Sequence, residues 1–350
     1  MSNLAKPATR RGLLKLAIML GVGSQALLFS GNWRTALGTA RASVGDVSSW
    51  PEMQYRTLGR TGFRASRLVF GAGAALSRGQ AVDLLEPALD AGVNVFDVGT
   101  SRYYGDAEMH LGRFAKKHRD KIFLISKAYA GVNIKAGEEV SVEQAREGAR
   151  IWTALMDESL EKLGMDHVDA YYCFSHNNVS LLKSDELQSA FLKAKAAGKV
   201  THWGVSTHEN AEKVLLAAAE TGLIDLAQIA ITPAGWYDWN AKAVQAGTPD
   251  MASLRPVLDT AREAGIGLIG MKAARHLAGR GVMDVLDFDK QKTFDGHYSE
   301  AFMKSGLNAF QRSYAYVLEH GLDCVNADSQ TFQHLFENFT AAATAHTHFG

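Results

Sequence analysis

The sequence of 350 residues predicts a single α/β domain, a (β/α)8 TIM barrel with an N-terminal β-hairpin. Short apolar runs bounded by glycine, aspartate or asparagine alternate with longer segments of helical period, which is typical of strands and helices that follow one another in turn. Eight such runs occur, and they are apolar almost throughout, as strands covered on both faces are. A doubly wound open sheet is the alternative, but no GxGxxG motif follows the first strand, where Gly71-Ala72-Gly73 is only a fragment.

The pattern assigns each element to a range. A hairpin is expected over residues 53–66, turning at 59–62. Functional groups should then lie at the carboxyl ends of the barrel strands and in the loops that follow them. Strands are predicted over 67–71, 93–98, 122–126, 168–174, 202–206, 226–231, 267–271 and 324–326, and helices over 80–91, 142–163, 185–197, 209–221, 252–264, 308–319 and 331–343.

Residues 1–42 have the pattern of an export signal. Arg10 and Arg11 precede an apolar stretch over 16–29 that is too short and too rich in glycine for a good membrane span. Ala40-Arg41-Ala42 then offers the small residues of a cleavage site. The paired arginines indicate a twin-arginine-type signal peptide, read by the twin-arginine export machinery, and a periplasmic or extracytoplasmic location. An ordinary secretory signal or an uncleaved anchor is the alternative.

The remaining chain is expected to be a linker over 43–52 and a barrel over 53–350, with no stable membrane span in the mature form. Lys and Arg number 37, as do Asp and Glu, and no long run of one sign occurs, which argues against a nucleic-acid partner. Cys173 and Cys324 form no CxxC or zinc-ligand spacing, so both are expected to be small buried residues within strands, and no metal site is predicted.

Polar side chains stand at the ends of the predicted strands, where packing alone would not place them. Asp97 ends the second strand, Lys127 follows the third and His176 follows the fourth, while Tyr104 lies in the loop after Asp97. Each of them alone could be a helix cap, a rim charge or a loop anchor. Their joint placement at one barrel mouth favours catalysis.

An acid, a phenol and an amine at one mouth can transfer a proton. Tyrosine, with a pKa of about 10, is a weak acid at neutral pH. An ammonium beside it is expected to lower that pKa, and a carboxylate keeps the ammonium charged and oriented. A nearby histidine can donate a hydrogen bond to a carbonyl oxygen. Such a set suits carbonyl reduction, in which a cofactor gives hydride to carbon and tyrosine gives a proton to oxygen.

The order of these motifs resembles the aldo-keto reductase superfamily over residues 53–339. The matching motifs are Phe96-Asp97, Tyr104-Gly105 with Glu108, Ile125-Ser126-Lys127, the segment 196–200 leading to 204–208, and Gln228. The resemblance implies a barrel whose hairpin closes its floor, and an NAD(P)(H)-dependent oxidoreductase that interconverts a small-molecule carbonyl and alcohol. It implies that Tyr104 is the general acid, that Lys127 and Asp97 adjust its pKa, and that His176 orients the carbonyl group. It also implies cofactor contacts from Ser206, Thr207, Gln228, Lys272 and Asn338.

The chain departs from the family pattern at several positions. Two additional residues separate Asp97 from Tyr104, so Tyr103 competes for the role of the acid. Ile231 stands where many members carry the aromatic residue that stacks on nicotinamide, and Trp236 or Tyr237 are candidate substitutes.

The nucleotide end departs as well. Thr331 and Phe336 stand where basic residues are usual, which leaves the choice between NADP and NAD open, because a 2′-phosphate would lose a charge-assisted hydrogen bond worth roughly 1.5–3 kcal/mol. Lys272 and Arg275 are the cations left to approach a phosphate.

Export raises a further expectation about the cofactor. Since a nicotinamide cofactor released outside the cytoplasm has no obvious regeneration system, a tightly bound cofactor recycled by paired substrates is expected. The alternative from another class is a redox-inactive barrel that binds a small ligand. A metal-dependent hydrolase is disfavoured because His202 and His208 have no partner at ligand spacing.

Overall fold

Eight parallel strands form a closed barrel in the computed structural model, which describes residues 46–278 and 288–349. The barrel order is β3, β4, β5, β6, β7, β8, β11, β12, and pairing of β12 with β3 closes it. The predicted fold class is therefore confirmed. The strands are β1 Tyr55–Thr57, β2 Arg64–Ser66, β3 Leu68–Gly71, β4 Val95–Asp97, β5 Phe123–Ala128, β6 Val168–Cys173, β7 Val200–Thr207, β8 Leu226–Thr232, β9 Gly235–Asp238, β10 Ala243–Val244, β11 Gly267–Met271 and β12 Cys324–Asp328.

Helices follow the strands and cover the barrel, mostly within a few residues of the predicted bounds. The predicted helix over 80–91 is shorter than expected: a 3-10 turn over Val82–Leu84 leads into Leu85–Asp90, with Pro87 in the first turn where its missing N–H is tolerated. The α-helices are Ala72–Leu76, Leu85–Asp90, Ser101–Tyr104, Ala107–Lys117, Val142–Leu163, Val179–Leu182, Asp185–Ala196, Ala211–Thr221, Arg255–Glu263, Phe288–Gln291, Glu300–Met303, Ala309–Glu319 and Phe332–Thr344.

The N-terminal hairpin closes the barrel floor. Strands β1 and β2 pair antiparallel, and between them Leu58 is fully buried among residues that point into the barrel, with Phe63 packed beside it. A side chain at Gly59 would lie 2.2 Å from the backbone nitrogen of Gly267, so the turn fits against β11 only as glycine. The position expected for the hairpin is confirmed.

Large side chains fill the barrel below its mouth. Tyr172 on β6 occupies the space that Gly204 leaves on β7, since a Cβ at Gly204 would lie 2.1 Å from Tyr172 Cδ1. Cys173 and Cys324 are buried free thiols in strands, as expected. Because the interior is solid, a ligand can reach the barrel axis only at the carboxyl ends of the strands.

A second hairpin extends β8 over the mouth and was not predicted. Strand β9 pairs antiparallel with the end of β8, β10 pairs with β9, and the turn between them carries Trp239. Among residues 46–278 and 288–349, no helix combines the length and apolarity that crossing a membrane requires.

The last part of the expected linker packs on the barrel. Trp50 is buried, with its ring 5.1 to 5.5 Å from those of Phe332, Phe336 and Phe339 on the last helix. The expected signal peptide over 1–42 lies outside the described residues.

Candidate active site

A buried ion pair occupies the mouth of the barrel. Asp97 ends β4 and Lys127 lies near the end of β5, the neighbouring strand. Lys127 Nζ donates to both Asp97 carboxylate oxygens at 2.6 Å and to the carbonyl oxygen of Val98 at 2.6 Å. Only 2% of the Lys127 surface and 3% of the Asp97 surface are exposed. The structure thus brings these two predicted site residues together.

Two amides complete the surroundings of Asp97. Gln228 Nε2 on β8 lies 3.4 Å from Asp97 Oδ2, and Asn326 Nδ2 on β12 donates to the same oxygen. Gly71 makes room for this amide, because a Cβ there would lie 2.6 Å from Asn326 Oδ1. The sequence analysis missed Asn326, although an asparagine inside an apolar barrel strand was a visible signal.

Tyr104 stands beside the ion pair. It ends a short helix, Ser101–Tyr104, whose N-cap Thr100 accepts a hydrogen bond from the backbone N–H of Arg102. Lys127 Nζ lies 5.6 Å from the Tyr104 ring centroid. Tyr103 is 52% exposed, whereas Tyr104 is half-buried and faces Lys127. The geometry favours Tyr104 over Tyr103 as the acid.

Two glycines hold the Tyr104 ring in place. A Cβ at Gly73 would lie 2.6 Å from Tyr104 Cε1, and one at Gly99 would lie 3.1 Å from Tyr104 Cε2. The ring therefore occupies a slot that any larger residue at Gly73 would close.

The phenol has a raised pKa, which corrects the expected direction. Burial is the main cause that raises the pKa of Tyr104, and the charge of Asp97 is the second. The expectation of a lowered pKa was wrong because the ammonium of Lys127 is bound to both oxygens of Asp97 and is not hydrogen-bonded to the phenol. Tyr104 is therefore a neutral proton donor at physiological pH.

The structure does not bring His176 to the mouth. Its Nε2 lies 2.8 Å from the carbonyl oxygen of Asn178 in its own loop, and its backbone N–H donates to Ser206. Phe174 occupies the wall instead, 5.8 Å from the Tyr104 ring. Spacing along the chain located the loop but not the direction in which each side chain points.

His208, which follows β7, lines the mouth. Its ring lies 6.3 Å from Phe174 and 5.5 Å from Trp239. Its Nδ1 is buried and finds no hydrogen-bond partner within the described part of the chain. Burial, and then the charges of Lys272 and Lys127, lower the pKa of His208 to about 3, so its imidazole is neutral.

An open cleft of about 340 Å³ runs from the mouth to the last helix. One end is formed by the loops after β4, β6 and β7 and by the second hairpin. The other is formed by the segments after β11 and β12. The side chains that line it are those of Asp97, Tyr103, Tyr104, Lys127, Phe174, His208, Gln228, Trp239, Met271, Lys272, Arg275, Phe310, Tyr314, Asn326, Asp328, Gln330, His334, Glu337 and Asn338, with Gly71, Gly73, Ala74, Ala274 and Ala278 between them.

The sequence pattern of the Aldo/keto reductase family matches residues 67–324. The chain belongs to the aldo/keto reductase family. It is 30% identical over 181 residues to a probable voltage-gated potassium channel subunit beta of Oryza sativa subsp. japonica, covering 50% of this chain and 52% of that protein. It is 29% identical over 170 residues to L-glyceraldehyde 3-phosphate reductase of Escherichia coli strain K12, covering 45% and 46%. The match spans about half the length of these relatives.

A solved structure shares the fold. The aldo-keto reductase from Klebsiella pneumoniae in complex with NADPH superimposes with a TM-score of 0.56 at 20% identity, covering 83% of this chain and 89% of that one.

In this aldo/keto reductase, the predicted cofactor residues divide into two groups. Gln228, Lys272 and Asn338 line the cleft. Ser206 and Thr207 are buried beside it: Ser206 Oγ lies 4.0 Å from Met271 Sδ, and Thr207 Oγ1 donates to the carbonyl oxygen of Glu209. The first three therefore lie along one cleft, whereas Ser206 and Thr207 are not among the residues that line it.

Ile231 does not face the cleft, which corrects the expected stacking position. Residues of β8 alternate, so Gln228 and Ala230 point to the mouth whereas Ile231 packs in the core between barrel and helices. Of the aromatic candidates, neither Trp236 nor Tyr237 lines the cleft, because both are buried within the second hairpin. The aromatic residue of this hairpin that lines the cleft is Trp239.

The last helix, where the sequence analysis expected the nucleotide, carries no lysine or arginine. Thr331 is the N-cap and accepts a hydrogen bond from the N–H of His334, while Phe336 packs on Trp50. Asn338 Nδ2 donates to Ser329 Oγ at 3.0 Å. Glu337 lines the cleft here, and burial raises the pKa of its carboxyl.

Replacing His176 with Asn should make folding stability less dependent on pH. Burial lowers the pKa of His176 to about 4. An unfolded imidazole binds a proton below about pH 6.5, so between pH 6.5 and 4 the unfolded state binds more protons and stability falls as the pH falls. In the variant, the free energy of unfolding should therefore change less with pH, by up to roughly 1.4 kcal/mol per pH unit within this range. Urea unfolding at pH 7, 6, 5 and 4.5 measures it.

The exposed His346→Asn is the control for loss of an imidazole. An unchanged slope in the His176 variant, relative to wild type and to this control, would show that the folded chain does not hold His176 neutral.

Proposed function

We propose that this aldo/keto reductase is an NAD(P)(H)-dependent oxidoreductase that interconverts a small-molecule carbonyl and alcohol, with Tyr104 as general acid and base. The observation that carries the proposal is the neutral phenol held between two glycines beside the buried Asp97–Lys127 pair. Family membership supports the reaction class. The name of the Escherichia coli relative, a reductase of a phosphorylated aldehyde, and the NADPH complex of the Klebsiella protein are consistent with it.

The cleft fits a dinucleotide. Gln228 places its Nε2 toward Asp97, and its buried Oε1 has no partner in the described ranges, which suits the amide N–H of a nicotinamide carboxamide. Arg275 provides a cation in the middle of the cleft for a diphosphate, and Asn338 lies at its far end. These residues would hold the cofactor.

The lining of the far end favours NAD over NADP. Glu337 stands there and can accept a hydrogen bond from a ribose hydroxyl, whereas a 2′-phosphate would meet a carboxyl without a lysine or arginine on that helix. The kinetic assays of the Tyr104 and Tyr103 variants described below therefore use both NADH and NADPH.

The residues at the mouth move one proton. When bound, the nicotinamide supplies or accepts the hydride at the carbonyl carbon. Tyr104 keeps its proton at neutral pH because burial and Asp97 raise its pKa, and it donates this proton to the carbonyl oxygen as negative charge develops there. Lys127 then lies near the phenolate that forms. His208, being neutral, replaces His176 as the donor of a hydrogen bond to the carbonyl oxygen.

Tyr104→Phe should lower kcat by about 100-fold to 10,000-fold, because the proton donor is lost, with little change in the affinity for the cofactor. Tyr103→Phe is the matched control, since it removes a hydroxyl from the neighbouring exposed ring, and kcat should change less than about threefold. Steady-state reduction of aromatic and aliphatic aldehydes and cofactor titration by tryptophan fluorescence measure both. A large effect in the Tyr103 variant alone would transfer the role to Tyr103.

We further propose that the chain is exported by the twin-arginine pathway with its cofactor bound, on the grounds of Arg10, Arg11 and the apolar stretch after them. Replacing both arginines with lysine should leave the precursor in the cytoplasm, because that pathway reads the arginine pair. Arg34→Lys is the control within the same segment. Cell fractionation with immunoblotting measures the distribution. Undiminished export of the double variant would exclude this route.

A further inference from the structure

Two lysines converge on the Trp239 side chain at the substrate end of the cleft. Lys272 Nζ lies 4.4 Å and Lys242 Nζ 2.9 Å from the Trp239 ring centroid. The ring lies 5.5 Å from that of His208, so this group borders the wall next to Tyr104 and Phe174. An ammonium over an indole face is stabilised by the ring and retains N–H groups for a further partner.

The turn that carries Trp239 is fixed to the neighbouring loops. Asn240 donates to one carboxylate oxygen of Glu209, and Asn177 Nδ2 lies 3.4 Å from the other. Asp238 Oδ1 accepts from the backbone N–H groups of Asn240 and Ala241 at 2.8 and 2.9 Å. The second hairpin is thereby joined to the loops after β6 and β7, and Trp239 is held over the mouth.

Lys272 has an unfavourable backbone conformation and forms no salt bridge within the described part of the chain. It follows β11 with a φ of 65°, in the left-handed region that a side chain disfavours and that persists mainly where function requires it. Among the described residues, its ammonium has no carboxylate within salt-bridge distance; the charge of Asp328 acts on it from further away, and those of Arg275, Lys127 and Lys242 oppose it. Burial and these cations lower the pKa of Lys272 to about 8.

We propose that Lys272, with Trp239 and Lys242, forms a subsite for an anionic group of the substrate, so that the preferred substrates are carbonyl compounds bearing a carboxylate or phosphate. This inference rests on the proposed reductase function. The ammonium groups of Lys272 and Lys242 lie over the same ring and repel each other, and an anion bound beside them offsets this repulsion through charge-assisted hydrogen bonds. The aromatic side chains of Tyr103, Phe174 and Trp239 leave room for an apolar body between that anion and Tyr104.

The position of the Lys272 ammonium favours the substrate over the cofactor as the source of the anion. The nucleotide end of the cleft is marked by Glu337 and Asn338, on the last helix. The Lys272 ammonium lies instead over Trp239, which belongs to the substrate end. Arg275 remains in the middle of the cleft for the cofactor diphosphate.

The test compares 4-carboxybenzaldehyde with 4-formylbenzamide, which has nearly the same shape but no charge. Wild type should have the higher kcat/KM for the anion, and Lys272→Met should reduce the ratio of the two kcat/KM values by about 10- to 100-fold. Lys272→Arg should retain most of the ratio. Lys272→Gly removes the same charge, and glycine adopts the left-handed backbone conformation readily, so this variant replaces the Met variant if that one folds poorly. Lys213→Met, at an exposed lysine on the helix Ala211–Thr221, controls for net charge.

Binding gives a second readout that does not need turnover. Calorimetric titration with benzoate, with NADH present, should show an affinity that drops by at least about tenfold in Lys272→Met and not in Lys213→Met. If no aldehyde is reduced but benzoate still depends on Lys272, the reductase proposal fails and the anion subsite stands. An unchanged kcat/KM ratio, or benzoate affinity that is independent of Lys272, overturns the subsite, as does a variant whose only defect is weaker NADH or NADPH binding.

Discussion

Removing a carboxylate and an ammonium from water costs several kcal/mol for each ion, and the mouth of this barrel is arranged to offset that cost. Asp97 and Lys127 meet at 2.6 Å with almost no exposure. Asn326 and Gln228 then satisfy the carboxylate, and the carbonyl oxygen of Val98 accepts from the ammonium. These partners come from β12, from β8 and from the residue after β4. The closed order of the strands is therefore what brings the charges and amides together.

The same pair sets the protonation state of the groups around it. Because Lys127 is bound by Asp97, the phenol of Tyr104 experiences mainly burial and the carboxylate, and it keeps its proton. Because burial, and then the charges of Lys272 and Lys127, lower the pKa of His208, its imidazole stays neutral. The mouth thus holds two neutral groups, the phenol of Tyr104 and the imidazole of His208, while the ammonium of Lys272 lies to one side.

The sequence predicted the repetitive parts of the molecule and missed those that depend on contacts distant along the chain. Continuous apolar strands and the polar residues at their ends located the barrel, Asp97, Lys127 and Tyr104. Side-chain direction was less accessible: Ile231 and Gln228 are three residues apart on one strand, so they face opposite sides, and counting from a motif does not reveal this. His176 was misplaced for a related reason, since its ring turns to the carbonyl oxygen of Asn178 in its own loop, and His208 lines the mouth. The second hairpin, with Trp239, forms because β9 pairs with the end of β8, and the hydrophobic periodicity of the sequence does not predict this pairing.

The most direct test of this account is a double-mutant cycle for the free energy of unfolding, with Asp97→Asn, Lys127→Met and the double variant compared with wild type. Each single change leaves a buried charge without its partner, so each should cost about 3–5 kcal/mol. The double variant should cost less than the sum by at least about 2 kcal/mol, since neither charge then remains. Costs that add to within about 0.5 kcal/mol would contradict the account, because the two side chains would then not depend on each other.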